Sequence, residues 1–482
     1  MSPGQIVIVG GGPAGLGAAL EAARAGAPVT LIDERPHLGG QYYKQIPSGW
    51  ASSRASRLDR QYEEGSRLIA EVHRSSVEVL TGTQVWSIFD DRTLALTNET
   101  SVWQLPYAKL VLTTGAQELP VALPGWTLPG VFTGGGAQSL VTSQGLLPGR
   151  HVLLAGVGPF QLRVAAQLVE AGAKIVGILD AAETSTSLWS AVQILPHWSH
   201  AREALDYLMV LRKAGARVWR SHLPIRILGH DRVERVMCSR IDAEWHPIPG
   251  TDVTFDVDAI CLTYGFVPAI ELARLAGCRV DYRPDAGGWV TWHDAHQATS
   301  VPDIFVAGEA GDIEGAAVAL EEGRLAGLEA ARQFGAVENA HYAMRRREIE
   351  RELVRARRPM AIVRHLVRLK PGLFELMTDD TVVCRCEDVR VEEVREAARR
   401  WEPGFRGIKF LTRAGMGMCQ SRICRHLVAR LIADTTGAAI DSIPLDTPRP
   451  PVRPVPLEAM ASLRGSGPSA VGAWHDGRSG RS

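Results

Sequence analysis

Two pairs of cysteines stand close together near the end of the chain: Cys384-Arg385-Cys386, with one residue between the thiols, and Cys419-Gln420-Ser421-Arg422-Ile423-Cys424, with four. Paired thiolates at short spacing are metal or cluster ligands, and an odd total of seven cysteines argues against a disulfide framework. Structural zinc is one account. The C-x-C spacing favours another, because it brings two thiolates close enough for one iron of a [2Fe–2S] cluster. Arg385, Lys409, Arg413, Arg422 and Arg425 surround the pairs and would offset an anionic cluster, although solvated arginines explain some of them equally well. Cys238, Cys261 and Cys278 are isolated and read as small buried hydrophobes. At the other end, Gly10, Gly12 and Gly15 form G-x-G-x-x-G ahead of Asp33. The first glycine serves a tight turn, the second lets backbone N–H groups approach a pyrophosphate, and the third lets helix and strand pack closely. Asp33 is the expected ribose acceptor, with Glu34 taking over if the strand ends one residue later.

A second glycine turn, Gly156-Val157-Gly158-Pro159-Phe160-Gln161, keeps two of the three glycines. Gln161 is expected to push helix and strand apart, which leaves either a scaffold or a weak nucleotide site with Asp180 as its ribose acid. No cysteine pair lies in the first or second nucleotide region, so a cofactor-to-disulfide relay has no thiols. His197 and His200 are the one pair that suggests acid–base work, and both read as ordinary histidines; no catalytic residue is expected in this chain.

The elements that must hold these residues follow from local pattern. Ile6-Val7-Ile8-Val9 is a β-branched strand, followed by the glycine turn and an Ala/Leu-rich helix to Arg24; Val152 to Ala155 and Leu162 to Ala171 repeat the unit. Arg345 to Arg358 is read as a solvated helix face, Val391 to Ala398 as an amphipathic helix, and Ile423 to Ile432 as another. From Pro448 onward Pro, Gly, Ser and Arg dominate, which predicts an arm or disordered tail. The chain's 482 residues suggest about three domains. With 53 basic and 53 acidic residues there is no bulk attraction to nucleic acid or an anionic membrane. No apolar run reaches the ~18 residues of a membrane span. The first residues have no basic region ahead of their apolar stretch, and the chain is expected to be cytoplasmic.

Thr299-Ser300-Val301-Pro302-Asp303-Ile304-Phe305-Val306-Ala307-Gly308-Glu309 resembles the second flavin motif of two-dinucleotide-domain flavoproteins, with Glu309 where Asp is commoner. Gly315-Ala316-Ala317 would open a helix whose N–H groups face the flavin, and Thr113-Thr114-Gly115 resembles the accompanying strand-end turn. The expected FAD set is Gly10, Gly12, Pro13, Ala14, Gly15, Asp33, Glu34, Gly40, Gln41, Val85, Thr114, Gly115, Gly308, Glu309 and Ala316; the expected cluster ligands are Cys384, Cys386, Cys419 and Cys424. Thr412 to Gln420 resembles the bacterioferritin-associated-ferredoxin-like [2Fe–2S] domain.

With Leu123 to Val131 and Tyr264 to Pro268 in order between them, the whole chain resembles the alpha subunits of heteromeric amine and imino-acid dehydrogenases, the group of opine oxidase, hydroxyproline dehydrogenase and hydrogen cyanide synthase. That resemblance implies an α/β fold. Its two Rossmann-like dinucleotide-binding domains would be of the pyridine nucleotide-disulfide oxidoreductase kind, followed by a small helical [2Fe–2S] domain. The implied boundaries are 1–118 and 283–340 for the FAD domain, 119–282 for the second nucleotide fold, 341–378 for a helical linker, 379–447 for the cluster domain and 448–482 for the tail. It further implies a D-amino-acid-oxidase-like FAD beta subunit that oxidises the C–N bond of an amine, imino acid or opine, a small third subunit in some members, and FMN at the subunit interface in some. The competing expectation is a self-contained NAD(P)H-dependent FAD/[2Fe–2S] oxidoreductase.

Overall fold

The computed structural model describes residues 4–45, 60–182 and 198–461. Ile6–Val9 forms the centre of a five-stranded parallel sheet, flanked by Val29–Ile32 and then Glu78–Leu80 on one side, and by Lys109–Leu112 and then Ile304–Val306 on the other. Ile304 pairs with Leu110, so a segment almost two hundred residues downstream completes the first sheet. The β-branched run is continuous because both faces of the sheet are buried. Ile6, Ile8, Val29 and Leu31 pack with the helix Pro13–Arg24 and with Ala326 and Ala330 of the helix Ala316–Phe334. Val7, Val9 and Ile32 face the other way, onto Val85, Leu94 and Leu96 of an antiparallel sheet built from Gln84–Phe89, Thr93–Thr97 and Val102–Pro106.

The second unit repeats the plan. His151–Gly156 lies between Lys174–Asp180 and Ala259–Thr263 in another five-stranded sheet, and the helix Pro159–Glu170 follows its glycine turn. Its core runs on without a break into the cysteine-bearing region: Leu223, Val236 and Tyr264 share one buried cluster with Val383, Val394, Leu427 and Ile432. Trp126, from the Leu123–Val131 segment, donates from Nε1 to the Val382 carbonyl at 2.6 Å, and the Arg385 guanidinium lies 5.3 Å from its ring centre.

Two expectations change. The arginine-rich stretch lies in the helix Asn339–Leu366 but is not a merely solvated face, since Arg345 reaches the buried carboxylate of Glu21 and Arg357 that of Glu322. The proline-rich segment is no free arm over its described part. Val452 N–H donates to Trp86 O at 3.0 Å, Gln84 Nε2 donates to Pro454 O at 2.9 Å, and Ala459 is fully buried against Trp86, Ala95 and Val102. Apolar Val452 and Ala459 give that segment something to bury: Val452 joins the cluster of Val85, Leu94 and Leu96, and Ala459, in the short helix Leu457–Ala461, covers Trp86 and Ala95.

Candidate flavin and iron–sulfur sites

Gly10, at φ +110°, turns where a Cβ would come within 2.3 Å of Thr113 O, and a Cβ at Gly15 would lie 1.7 Å from Gly10 O. Both are required by contact with the protein itself. Gly12 differs: a Cβ there meets only Gly40 Cα, at 3.8 Å. The space above Gly12, at the N-terminus of the helix that begins with Pro13 and Ala14, is therefore an open cradle lined by N–H groups, which fits a pyrophosphate. Gly40 closes its far side, and Gln41 follows on the surface.

The Asp33 carboxylate is already engaged by the protein. Its Oδ2 accepts the Gly11 N–H at 2.7 Å and its Oδ1 the Arg35 N–H at 2.8 Å. Burial pushes its carboxyl up, and these two amides oppose that shift. Asp33 fastens the glycine turn, whereas Glu34 beside it is exposed, with Oε2 3.9 Å from Arg453 Nε of the proline-rich segment. The strand ends at Ile32 and Asp33 still bonds to its neighbour through Leu80 O, so the residue beyond it is the one that projects. Val85 is buried in the core with Ile32 and Leu94, which leaves only its backbone to face a cofactor.

Thr114 Oγ1 donates to Ala269 O at 2.9 Å and Ala269 N–H donates to Gly115 O at 2.9 Å, tying the strand-end turn to the Tyr264–Pro268 segment. Gly308 and Glu309 lie in the short turn Gly308–Ala310, and Ala316 begins the helix Ala316–Phe334 after Gly315. Burial pushes the Glu309 carboxyl up to about 7, against the Gly315 N–H. Beneath this turn lies a group that sequence reasoning missed. Glu322, 1% exposed, accepts the Gly308 N–H at 3.0 Å and the Arg357 guanidinium at 2.6 Å; Arg357 and Arg364 also hold Glu314, at 2.7 and 2.8 Å. The linker helix thus clamps the second flavin motif, and the signal available in sequence was only a charge run. Lys44 was also missed: it donates to Gln138 Oε1 and Ser139 Oγ at 3.1 and 2.9 Å, and burial pushes its ammonium down to about 7.

The second glycine turn presents no open cradle. A Cβ at Gly156 would lie 1.9 Å from Thr263 Oγ1, and one at Gly158 would lie 2.5 Å from Val367 Cγ1, just beyond the linker helix. Gln161 is accommodated rather than wedging the elements apart: it is buried and hydrogen-bonded to Asp180, whose Oδ1 also accepts the Ala182 N–H at 3.1 Å. Asp180 is spent on the protein. His197 lies outside the described residues, as does the side chain of His200.

Cys384 sits at the end of the strand Val382–Cys384, and Cys424 immediately precedes the helix Arg425–Thr436, two residues later than its periodicity suggested. The thiols meet across the two motifs, Cys384 with Cys424 and Cys386 with Cys419, rather than within C-x-C. Two sulfur pairs suit a dinuclear centre. The Cys384 thiol is lowered to about 6, first by the Cys424 thiol and then, against burial, by amides of Gly415, Glu387 and Cys386, the kind of N–H nest that holds negative sulfur. A Cβ on Gly417 would fall 2.1 Å from Cys386 Cβ, so glycine is what lets the loop pass. The two regions are joined by a hydrogen bond: Gln117 Nε2, two residues beyond Gly115, donates to the carbonyl of Arg422, inside the second cysteine motif, at 2.7 Å.

Comparison with known proteins agrees with this architecture. Residues 4–323 match the pyridine nucleotide-disulphide oxidoreductase family and residues 382–434 the BFD-like [2Fe-2S] binding domain. An opine oxidase subunit from Rhizobium meliloti is 32% identical over 95% of this chain and 87% of its own. Hydrogen cyanide synthase subunit HcnB of Pseudomonas protegens is 29% identical over 94% of this chain and 97% of its own. The crystal structure of L-proline dehydrogenase from P. horikoshii superposes with a TM-score of 0.66 at 22% identity, covering 94% of this chain and 78% of that one, a likeness of fold. Among the described residues no helix is long and apolar enough to cross a membrane. With an FAD-binding fold and a [2Fe–2S] domain in one chain, the protein belongs to the pyridine nucleotide-disulphide oxidoreductase family, alongside the corresponding subunits of opine oxidases.

Proposed function

We propose that this chain is the electron-transferring subunit of a heteromeric dehydrogenase, in which a separate flavin-bearing subunit oxidises the C–N bond of an amino acid, imino acid or opine. The observation that carries the reading is the Gln117–Arg422 hydrogen bond, which joins the flavin strand-end turn directly to the cysteine loop. FAD would supply two-electron exchange and the [2Fe–2S] centre one-electron exchange. The chain's own residues do the positioning. Gly12, Pro13 and Ala14 present the helix N-terminus to the pyrophosphate, and Glu34 receives the ribose while Asp33 holds the turn. Glu309 and Ala316 face the flavin end from a turn that Glu322 and Arg357 fix, and Cys384, Cys386, Cys419 and Cys424 hold the cluster.

The division into an FAD domain of 1–118 and 283–340, a second fold of 119–282, a linker of 341–378 and a cluster domain of 379–447 belongs to the same reading. Val367 against Gly158 and the engaged carboxylate of Asp180 weigh against NAD(P)H entering at the second fold. The relatives named as oxidase and synthase subunits support a multi-subunit assembly. Its partner would be the D-amino-acid-oxidase-like beta subunit; some assemblies of this type also carry interfacial FMN or a small third subunit. The test is analytical: purified chain should contain one FAD and about two irons and two sulfides. Cys386→Ser should abolish the cluster signal while FAD stays bound. Zinc without sulfide would sink the reading.

A further inference from the structure

Glu34 stands beside a segment from the far end of the chain. Its two neighbours are stitched to the loop that leads into the strand Gln84–Phe89: Thr83 N–H donates to Asp33 O at 3.0 Å, and Gly82 N–H donates to Arg35 O at 2.8 Å. The proline-rich segment runs along that same strand. Val452 N–H donates to Trp86 O at 3.0 Å and Gln84 Nε2 donates to Pro454 O at 2.9 Å, so the residues on either side of Arg453 are both fastened to it. Val452 is buried in one cluster with Val85, and Pro451 and Pro454 stiffen the pair they enclose. Arg453 is therefore held in place by its neighbours, and its Nε lies 3.9 Å from Glu34 Oε2. Glu34 Oε1 has no partner among the described residues. With the two side chains 32% and 52% exposed, an ion pair of this kind adds little to the stability of the fold. What it can do is fix where the Glu34 carboxylate points and leave Oε1 to accept hydrogen bonds.

We propose that Arg453, carried on the proline-rich strap, is a positioning residue for the adenosine end of FAD: it aims the Glu34 carboxylate at the ribose hydroxyls. The proposal rests on FAD lying in the first fold with Glu34 as its ribose acceptor. Glu34 and Val85, both in the expected FAD set, have this one strap beside them, which gives the strap a task within its own chain. Because the prolines and the two strand bonds hold Arg453 before any cofactor arrives, little side-chain entropy remains to be lost when FAD binds.

The test is a double-mutant cycle read by FAD binding. Full-length protein freed of its flavin is titrated with FAD, following the flavin fluorescence, in four forms: wild type, Arg453→Ala, Glu34→Gln, and the two substitutions together. Arg453→Ala should raise the Kd for FAD about fivefold in the wild-type background. In the Glu34→Gln background the same substitution should change nothing further, since the carboxylate it aims is gone. The thermal midpoint of the apoprotein should be the same with and without Arg453, which separates a lost FAD contact from a loosened fold. Equal FAD affinities in wild type and Arg453→Ala would overturn the proposal. So would a loss of the same size in both backgrounds, because a strap that merely supports the fold acts whether or not Glu34 is charged. Wild-type FAD affinity in Gly12→Val, measured alongside, would instead refute the placement of FAD beneath the proposal.

Discussion

A Cβ at Gly12 would touch nothing in the protein closer than 3.8 Å, so Gly12→Val should leave the cofactor-free fold standing while filling the space for the pyrophosphate. We expect FAD affinity to fall by about a hundredfold, ~2.7 kcal/mol, in fluorescence titration, with the thermal midpoint of the apoprotein unchanged. Asp33 and Glu34 should separate in the same two measurements. Glu34→Gln is expected to weaken FAD about tenfold without destabilising the apoprotein. Asp33→Ala strands the Gly11 and Arg35 amides and should lower the apoprotein's stability by ~1–3 kcal/mol. Glu309→Asp, which would only shorten the proposed ribitol contact, should cost less FAD affinity than Gly12→Val. At the cluster, Gly417→Ala drives a methyl into Cys386 and should lower iron and sulfide content sharply, with FAD retained. The glycine turn and the cysteine spacings were legible because each is a local constraint written in consecutive residues. Which of two adjacent acids projects was not, because it depends on where the strand ends and on Arg453, far away in the chain.

Between elements, two buried carboxyls set a pH dependence that Arg357 of the linker helix Asn339–Leu366 opposes at one of them. Burial pushes the Glu322 carboxyl up to about 8, despite Arg357 and the Gly308 amide, and that of Glu309 up to about 7. A carboxyl raised in the folded state contributes stability that is present in full below the unfolded value and is lost as pH rises through the folded one. The apoprotein's thermal midpoint should therefore fall between about pH 5 and pH 8, and Glu322→Gln should flatten that fall in part, since Glu309 still titrates. Under the cysteines, Arg425, 2% exposed, lies 3.1 Å from Glu271, and Asp446 takes Arg274 at 3.3 Å and Lys409 at 3.6 Å. Reduction adds negative charge to the centre, so Asp446→Asn should raise its midpoint potential and Lys409→Met should lower it. The expected shifts are fractions of the ~59 mV that corresponds to a tenfold change in a one-electron equilibrium. EPR-monitored redox titration reads both signs, and shifts in the same direction would refute an electrostatic role. None of these buried pairs was legible: Glu322 and Arg357 are 35 residues apart on two helices, and a charge run looks the same whether it faces water or a buried carboxylate. The proline-rich segment was legible as extended, but the sheet it covers lies hundreds of residues earlier.

At the scale of the whole molecule, the second nucleotide fold and the cluster domain share one buried core, yet of the two glycine turns it is the first that keeps an open cradle. The order of the units was legible from the repeated strand–glycine–helix pattern. The closure of the second cradle was not, because Val367 reaches Gly158 from a linker that carries no nucleotide motif. A chain built this way should accept electrons from a partner rather than from NADH. The most direct measurement compares the purified chain alone with the chain coexpressed and copurified with a D-amino-acid-oxidase-like flavoprotein partner. Both are assayed for dye reduction with NADH and with a panel of imino acids and opines. The prediction is that the isolated chain turns over neither class of donor, and that the complex reduces dye with an imino acid or opine and loses that turnover with Cys386→Ser. Robust NADH-to-dye turnover by the isolated chain would contradict the account and assign the protein to the self-contained reductases.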